Sequence, residues 1–371
     1  MTTSIGELLD TLTVTGELYE KLPNKELRCF ACGHRCVIRE GKRGICQVRF
    51  NEGGELRVPW GYVGALQSDP IEKKPFFHVM SGTNALTFGM LGCDFHCGYC
   101  QNWLTSQAMR DPSSDESVNH IRKISPQGMV DTARKTNASI VVSSYNEPLI
   151  TSEWAVEIFK EAKKAGLMCA YVSNGNNTPE VMEYIRPYIS AYKVDLKCMQ
   201  DKNYRKLGGV LQHTLDGIKR AHEMGLWVEI VTLTIPGFND SNEELWDAAR
   251  FIAGVSKDIP WHVTAFHKDY KMTDPDNTDA KTLLRGAEIG KEAGLRFVYA
   301  GNLPGQVGEY EDTFCPACNF TLVKRRGYII QEYRITGDGR CPTCHTKVPG
   351  LWHKNPSQVA LNGLGVPLPV Y

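Results

Sequence analysis

The chain has 371 residues, 42% of them hydrophobic, and its 42 Lys and Arg are balanced by 42 Asp and Glu. It is long enough for a large core, and a formal net charge of zero argues against a protein built mainly to coat nucleic acid or acidic membranes. The opening MTTSIGELLD lacks a basic-then-apolar leader pattern and no apolar run approaches the ~20 residues that span a bilayer, so a cytoplasmic protein without a membrane partner is expected.

From the start of the chain, Ile5, Leu8, Leu9 and Leu12 mark a short amphipathic helix. Cys29, Cys32, Cys36 and Cys46 follow among several Gly and Pro, which predicts a small metal-organised module over residues 1–83. Residues 84–309 read differently. Strand patterns at 85–91, 139–144, 168–173, 191–196, 227–234, 262–266 and 296–299 alternate with helical patterns at 152–165, 179–185, 209–224, 243–255 and 280–293. Such alternation predicts a parallel sheet covered by helices. Nearly every strand pattern runs into a polar motif: Cys93, Asn146-Glu147, Asn174, Asp195 with Lys197, Gly237, His267, Asn302. Polar loops converging from many strands on one face favour an open or partial barrel over a doubly wound sheet. Residues 310–371 carry the last cysteines and a Pro- and Gly-rich tail from 355 onward, expected to lie extended.

Eleven of the thirteen cysteines fall into three tight groups, and in an intracellular chain short Cys-x2-Cys spacings read as metal ligands rather than disulfides. Cys169 and Cys198 sit in apolar stretches and read as core. Cys315-x2-Cys318 and Cys341-x2-Cys344 form two matched knuckles with the spacing of a zinc ribbon, a closed structural site. Cys29, Cys32, Cys36 and Cys46 could close around zinc or a second 4Fe–4S cluster; zinc is preferred, since no other feature calls for electron transfer. The central group is Cys93-x3-Cys97-x2-Cys100. A four-iron cube normally takes four thiolates, so three leave one iron open for chemistry. A zinc site would need a fourth ligand, and His96 is poorly placed next to Cys97 to join the same tetrahedron.

This spacing after a first strand resembles the signature of the radical S-adenosylmethionine (SAM) superfamily. More narrowly, the chain resembles the AmmeMemoRadiSam-system radical SAM enzymes and, more distantly, pyruvate formate-lyase activating enzymes. The matching stretches are residues 29–49, Pro70-Ile71-Glu72-Lys73-Lys74-Pro75, residues 88–103 with Gln101-Asn102-Trp103, Tyr145-Asn146-Glu147-Pro148, Asp195-Leu196-Lys197 and residues 262–272. The resemblance implies a partial (β/α)6-type barrel flanked by an N-terminal four-cysteine metal module and a C-terminal zinc-ribbon-like module. It implies that SAM chelates the open iron and that one electron cleaves it to methionine and a 5′-deoxyadenosyl radical, which abstracts hydrogen from a protein or protein-associated substrate. The partners it implies are a one-electron donor such as flavodoxin or ferredoxin and Memo-like and AMMECR-like proteins.

Around SAM, Glu147 is expected to accept hydrogen bonds from the ammonium, with Asn146 beside it as a further SAM contact, although related activating enzymes place Gly-Gly before this Glu where Tyr145 and Asn146 stand here. Asn174 could hold ribose or carboxylate oxygens, and the resemblance assigns the Asp195/Lys197 pair to the ribose and carboxylate, against the plainer reading of a mutual salt bridge. Gly237, in Ile235-Pro236-Gly237-Phe238, and Gly301-Asn302 are expected near the adenine, and His262, His267 and Tyr270 near the substrate. The alternative class is a non-catalytic iron–sulfur and zinc protein, an electron carrier or nucleic-acid-binding module. Polar residues around an open iron speak against it.

Overall fold

The computed structural model of the chain describes residues 5–370. Eight strands lie side by side in chain order: β1 (Ala65–Pro70), β2 (Asn84–Gly89), β3 (Ala138–Ser143), β4 (Met168–Ser173), β5 (Ala191–Asp195), β6 (Trp227–Thr234), β7 (Trp261–Ala265) and β8 (Val298–Gly301). A ninth, Leu368–Pro369, pairs antiparallel outside β1, and β1 is itself antiparallel to β2. From β2 to β8 every pairing is parallel. The order never reverses, as it would at the switch point of a doubly wound sheet.

The crossovers carry α1 (Pro126–Lys135), α2 (Ser152–Lys164), α3 (Pro179–Ile185), α4 (Asp201–Lys206), α5 (Leu211–Glu223), α6 (Asn242–Val255) and α7 (Ala280–Glu292). Their starts are set locally. Ser125, Thr178, Ser241 and Asp279 each accept a backbone N–H of the first turn. Helices α1 and α4 go beyond the sequence patterns, while α5 falls within the pattern at 209–224.

Both faces of the parallel strands are covered, so the strands read as nearly unbroken apolar runs. Val141, Tyr171, Tyr192, Ile230 and Val263 join the main core with the helices. On the other face Ala85, Ile140, Ala170 and Ala191 pack on Ile71, Phe76 and Val79 from the β1–β2 connection. Further along that face toward the C-terminal strand ends, Val172, Lys193, Asp195 and Leu233 line a cavity instead.

The N-terminal residues form two small three-stranded sheets, Thr13–Thr15 with Glu55–Pro59 and Phe50–Glu52, and Tyr19–Lys21 with Leu27–Cys29 and Val37–Ile38. Arg49 fastens them to α2: its guanidinium donates to both Glu153 oxygens at 2.7 and 2.8 Å and to the Ile150 carbonyl at 3.0 Å, all buried. The boundary expected at 83/84 falls between β1 and β2, two paired strands of the same sheet. Beyond β8, the strands Thr313–Phe314, Thr321–Arg326 and Ile329–Tyr333 form an antiparallel ribbon. Its buried Arg325 donates to the Phe77 carbonyl at 2.9 Å and lies 4.3 Å from the centre of the Phe77 ring. Of the extended tail, Tyr371 lies outside the described residues. Among the described residues no helix is long and apolar enough to cross a membrane.

Candidate active site and metal centres

Strand β2 ends at Gly89, where a side chain would collide with the Ser144 carbonyl, so this glycine lets the β2 and β3 ends close up. The loop then turns through Gly92 at φ +96° and presents its three cysteines. Backbone bonds hold the loop from outside: the His96 N–H donates to Leu207 O at 2.8 Å, and the Lys271 N–H donates to Gly98 O at 2.9 Å. Sulfurs take donors too, Cys93 from the Phe95 N–H at 3.4 Å, while Cys100 Sγ lies 3.2 Å from the Ser106 hydroxyl. All three thiols line one cavity of about 100 Å³, together with Asn146, Glu147, Asn174, Asp195 and Lys197. A neighbouring cavity of about 310 Å³ shares Cys97, Cys100, Asp195 and Lys197. Burial pushes all three thiols up, Cys97 to about 12, so that only a bound cation would hold them as thiolates.

Glu147 is buried and turns its carboxylate back into the strand ends. Oε1 accepts from the Leu149 N–H at 3.1 Å and the Ser173 hydroxyl at 2.7 Å, and Oε2 accepts from the Asn174 N–H at 2.8 Å. Burial first, and the nearby Asp94 carboxylate second, push it up to about 8 despite these donors. Asn174 donates its amide to Asp94 at 2.7 Å, and Asn176 donates to the other Asp94 oxygen at 2.8 Å. Asn146 accepts from the Met90 N–H at 3.1 Å. The side chains of Asn174 and Asn146 thus hold the cysteine loop to the neighbouring strand ends.

Asp195 lies between two lysines, bonded to Lys193 and 3.4 Å from Lys197 Nζ. The mutual salt bridge exists, and its members also line both cavities. Burial works against the Lys197 charge, but the Asp195 carboxylate more than offsets this and holds its pKa up. Gly237 sits in a turn at φ +74°, its N–H donating to Asp240 at 2.9 Å, and is not among the residues lining either cavity. Asn302 lines the larger cavity. His267 pairs with Gln101 at 2.9 Å, and the Tyr270 ring stacks on Trp103 while its hydroxyl donates to Asp111 at 2.5 Å, so both belong to the surroundings of the cysteine loop. His262 lies elsewhere: it is buried against Glu229 at 2.7 Å and packs on Phe77 and Tyr299, toward the ribbon.

Four residues of the site escaped the sequence reading. Asp94 is fully buried beside Cys93. Lys73, Lys74 and Tyr145 line the larger cavity. Lys74 pairs with Asp69, Tyr145 donates to the same carboxylate at 2.6 Å, and Tyr145 holds φ +67°, a conformation costly for a bulky residue. The signal available was the run Pro70–Pro75 and the residue inside the Cys93-x3-Cys97 spacing.

The other thiol groups differ in spacing. The Sγ atoms of Cys315, Cys318, Cys341 and Cys344 all lie within 4.8 Å of one another, with pairs at 3.5 and 3.7 Å. A tetrahedral ion with ~2.3 Å metal–sulfur bonds sets its sulfurs ~3.8 Å apart, so this group fits one metal ion. Among the described residues, no three thiols of Cys29, Cys32, Cys36 and Cys46, nor those of Cys93, Cys97 and Cys100, gather as closely. Cys29, Cys32 and Cys46 are buried and Cys36 is partly exposed. Burial pushes Cys46 up to about 11.

A model of the radical SAM superfamily matches residues 88–252. An uncharacterized protein of Methanocaldococcus jannaschii is 33% identical over 335 residues, covering 89% of this chain and 97% of its own. The pyruvate formate-lyase-activating enzyme of Staphylococcus aureus (strain USA300) is 26% identical over 218 residues, covering 52% of this chain and 84% of its own. A solved radical SAM methyltransferase from Sphaerobacter thermophilus aligns with a TM-score of 0.46 at 15% identity, covering 61% of this chain and 70% of its own. The chain belongs to the radical SAM superfamily. That family implies a 4Fe–4S cluster and SAM. The residues fit both groups: three soft donors without a fourth line one cavity, and a buried carboxylate and a lysine stand in its wall.

Proposed function

We propose that this chain reductively cleaves SAM and uses the resulting 5′-deoxyadenosyl radical to abstract hydrogen from a protein or protein-associated substrate. The observation that carries the reading is the meeting of Cys93, Cys97 and Cys100 with Glu147, Asn174, Asp195 and Lys197 around one cavity at the C-terminal ends of successive parallel strands. The cluster, held by the three thiolates, supplies the electron and the open iron. Glu147 receives the SAM ammonium. Its charge is disfavoured by burial and by Asp94, and a cation delivered into the cavity relieves both. Lys197 and Lys193 would hold the SAM carboxylate, and Asp195, which bonds both lysines, would accept from the ribose with its remaining lone pairs. Asn174 and Asn146 position the loop rather than the ligand, and Gly237 shapes the turn beside the adenine.

In this reading the sheet is a partial barrel with seven parallel strands instead of six, the ribbon holds zinc, and the 1–83, 84–309 and 310–371 divisions mark metal modules around a catalytic centre. The chain acts in the cytoplasm, takes its electron from a flavodoxin- or ferredoxin-type donor, and serves an AmmeMemoRadiSam-type system with Memo-like and AMMECR-like partners. A glycyl-radical-activating reaction is the more distant relation. The test is to reconstitute the protein anaerobically, reduce it, add SAM and measure 5′-deoxyadenosine. A non-catalytic iron–sulfur protein would give none.

A further inference from the structure

The N-terminal cysteines are not a remote module. Gly92, next to Cys93, is so close to Cys46 that a side chain there would meet the Cys46 carbonyl at 3.1 Å. Arg110 ties the two loops together, donating to Phe95 O at 2.8 Å and also to Ile45 O. Asn176 ties them a second time: its carbonyl accepts from the Gly33 N–H at 2.8 Å, and its amide donates to Asp94 at 2.8 Å. Cys32-Gly33 and Ile45-Cys46 are thus bound through one residue each to the loop that carries Cys93 and Cys97.

The donor set is four thiols, three buried and one partly exposed. Their spacing does not match the single-ion geometry of the ribbon: no three come within 4.8 Å of one another. A four-iron cube takes four thiolates and holds them farther apart than one ion does. The Cys36 Sγ also accepts the Ile45 N–H at 3.4 Å, as the Cys93 Sγ accepts that of Phe95 at 3.4 Å.

The outer surface of this group is unusual as well. Val37 and Ile45, the residues next to Cys36 and Cys46, are 52% and 41% exposed, and they are two of the few large apolar residues at the protein surface. In the same loop Lys42 and Glu40 stand exposed and Arg39 pairs with Glu26 at 3.3 Å, so the rim carries both signs. An apolar centre with a polar rim over a partly exposed metal ligand suits a one-electron carrier protein whose own binding face has an apolar centre.

We infer that Cys29, Cys32, Cys36 and Cys46 hold a second 4Fe–4S cluster, which receives one electron from a flavodoxin-type carrier protein docked over Val37 and Ile45 and passes it to the cluster on Cys93, Cys97 and Cys100. This rests on the radical SAM reading of the central site. Each transfer moves one electron and no proton, oxidising the carrier and then the outer cluster as the inner one is reduced.

Two measurements test it. The first is the metal content and EPR spectrum of full-length protein reconstituted with excess iron and sulfide. Wild type is expected to hold about eight irons, and the variant with Cys93, Cys97 and Cys100 all changed to Ala about four, with a reduced-cluster signal. Zinc in place of iron in that triple variant overturns the inference, while SAM cleavage by the wild type would still stand on its own. The second compares reductants using Val37→Glu, a surface change that leaves the thiols in place. With dithionite, 5′-deoxyadenosine forms at the wild-type rate. With reduced flavodoxin the rate falls at least tenfold. Equal rates with flavodoxin remove the outer site from the electron path.

Discussion

Two cysteine groups in this chain are laid out in opposite ways. The ribbon gathers four sulfurs within 4.8 Å, enough to fill the coordination of a single tetrahedral ion and leave nothing open. The central loop offers three thiols, spread around a cavity whose wall also holds the Glu147 and Asp195 carboxylates and the Lys197 amine. Cys-x2-Cys occurs in both. What separates structure from reactivity is the missing fourth ligand and the polar groups that occupy its place.

The sharpest way to break this contrast is to remove ligands from each side. Cys93→Ala, Cys97→Ala or Cys100→Ala should abolish SAM cleavage and empty the central site, costing about four irons per chain. Retained cleavage in any one variant would remove that residue from the centre. Cys315→Ser or Cys341→Ser should leave the iron spectrum of the folded fraction unchanged but release one zinc per chain. The melting temperature should fall on the order of 10 °C, as a few kcal/mol of metal-linked folding energy is lost. Loss of the iron signal from soluble, folded protein would show that the two sites are not independent.

Glu147→Gln asks whether the wall of the open site binds charge. The Gln oxygen keeps an acceptor for Asn174 N–H but loses the negative charge facing the cavity. A charge-assisted bond of roughly 1.5–3 kcal/mol corresponds to about a ten- to hundredfold weaker SAM dissociation constant, at constant iron content. Unchanged affinity by calorimetry would reduce Glu147 to a residue that shapes the turn.

The last prediction concerns the ribbon's contact with the sheet. Glu72 is buried there and accepts the Gly82 N–H at 2.9 Å, while its second oxygen has no hydrogen-bond partner. Burial, only partly offset by Arg325, raises its pKa from the usual 4.5 to about 7. Below pH 4.5 the acid is neutral in both states and costs nothing. From there to about pH 7 the unfolded chain ionises first, so stability falls as pH rises, and above that the penalty is constant at ~3 kcal/mol. Glu72→Gln should therefore flatten the melting temperature between pH 5 and 8. A variant that still loses stability over this range would place the titration elsewhere.

Much of this was legible in the sequence. The bounds of β4, β6 and α3 match their apolar patterns, because each is a long periodic run with punctuated ends. Helix α1 was missed although Ser125-Pro126 is a good start signal. Gly128 lies inside it and only Met129, Val130 and Ala133 bury. The cysteine ligands were readable because their spacing is local. The asparagines show what spacing cannot carry. Asn174 and Asn146 end strands as ligand-binding residues do and line the cavity, yet their side chains also bond Asp94 and the Met90 N–H, partners that only the folded strand ends bring together.

The strand order has a consequence for how the molecule is made. Each of β2 to β8 pairs with the strand that emerges just before it, so the sheet can grow from one edge as the chain lengthens, each closure spanning only the connection between neighbouring strands. The long-range event comes last. Arg325 reaches back to Phe77, 248 residues earlier, and the ribbon settles on a connection laid down before the parallel strands were complete. The ribbon is therefore placed as a latch rather than a nucleus: a chain whose ribbon is disrupted should still assemble its sheet, with the connection around Phe77 left uncovered on its outer side.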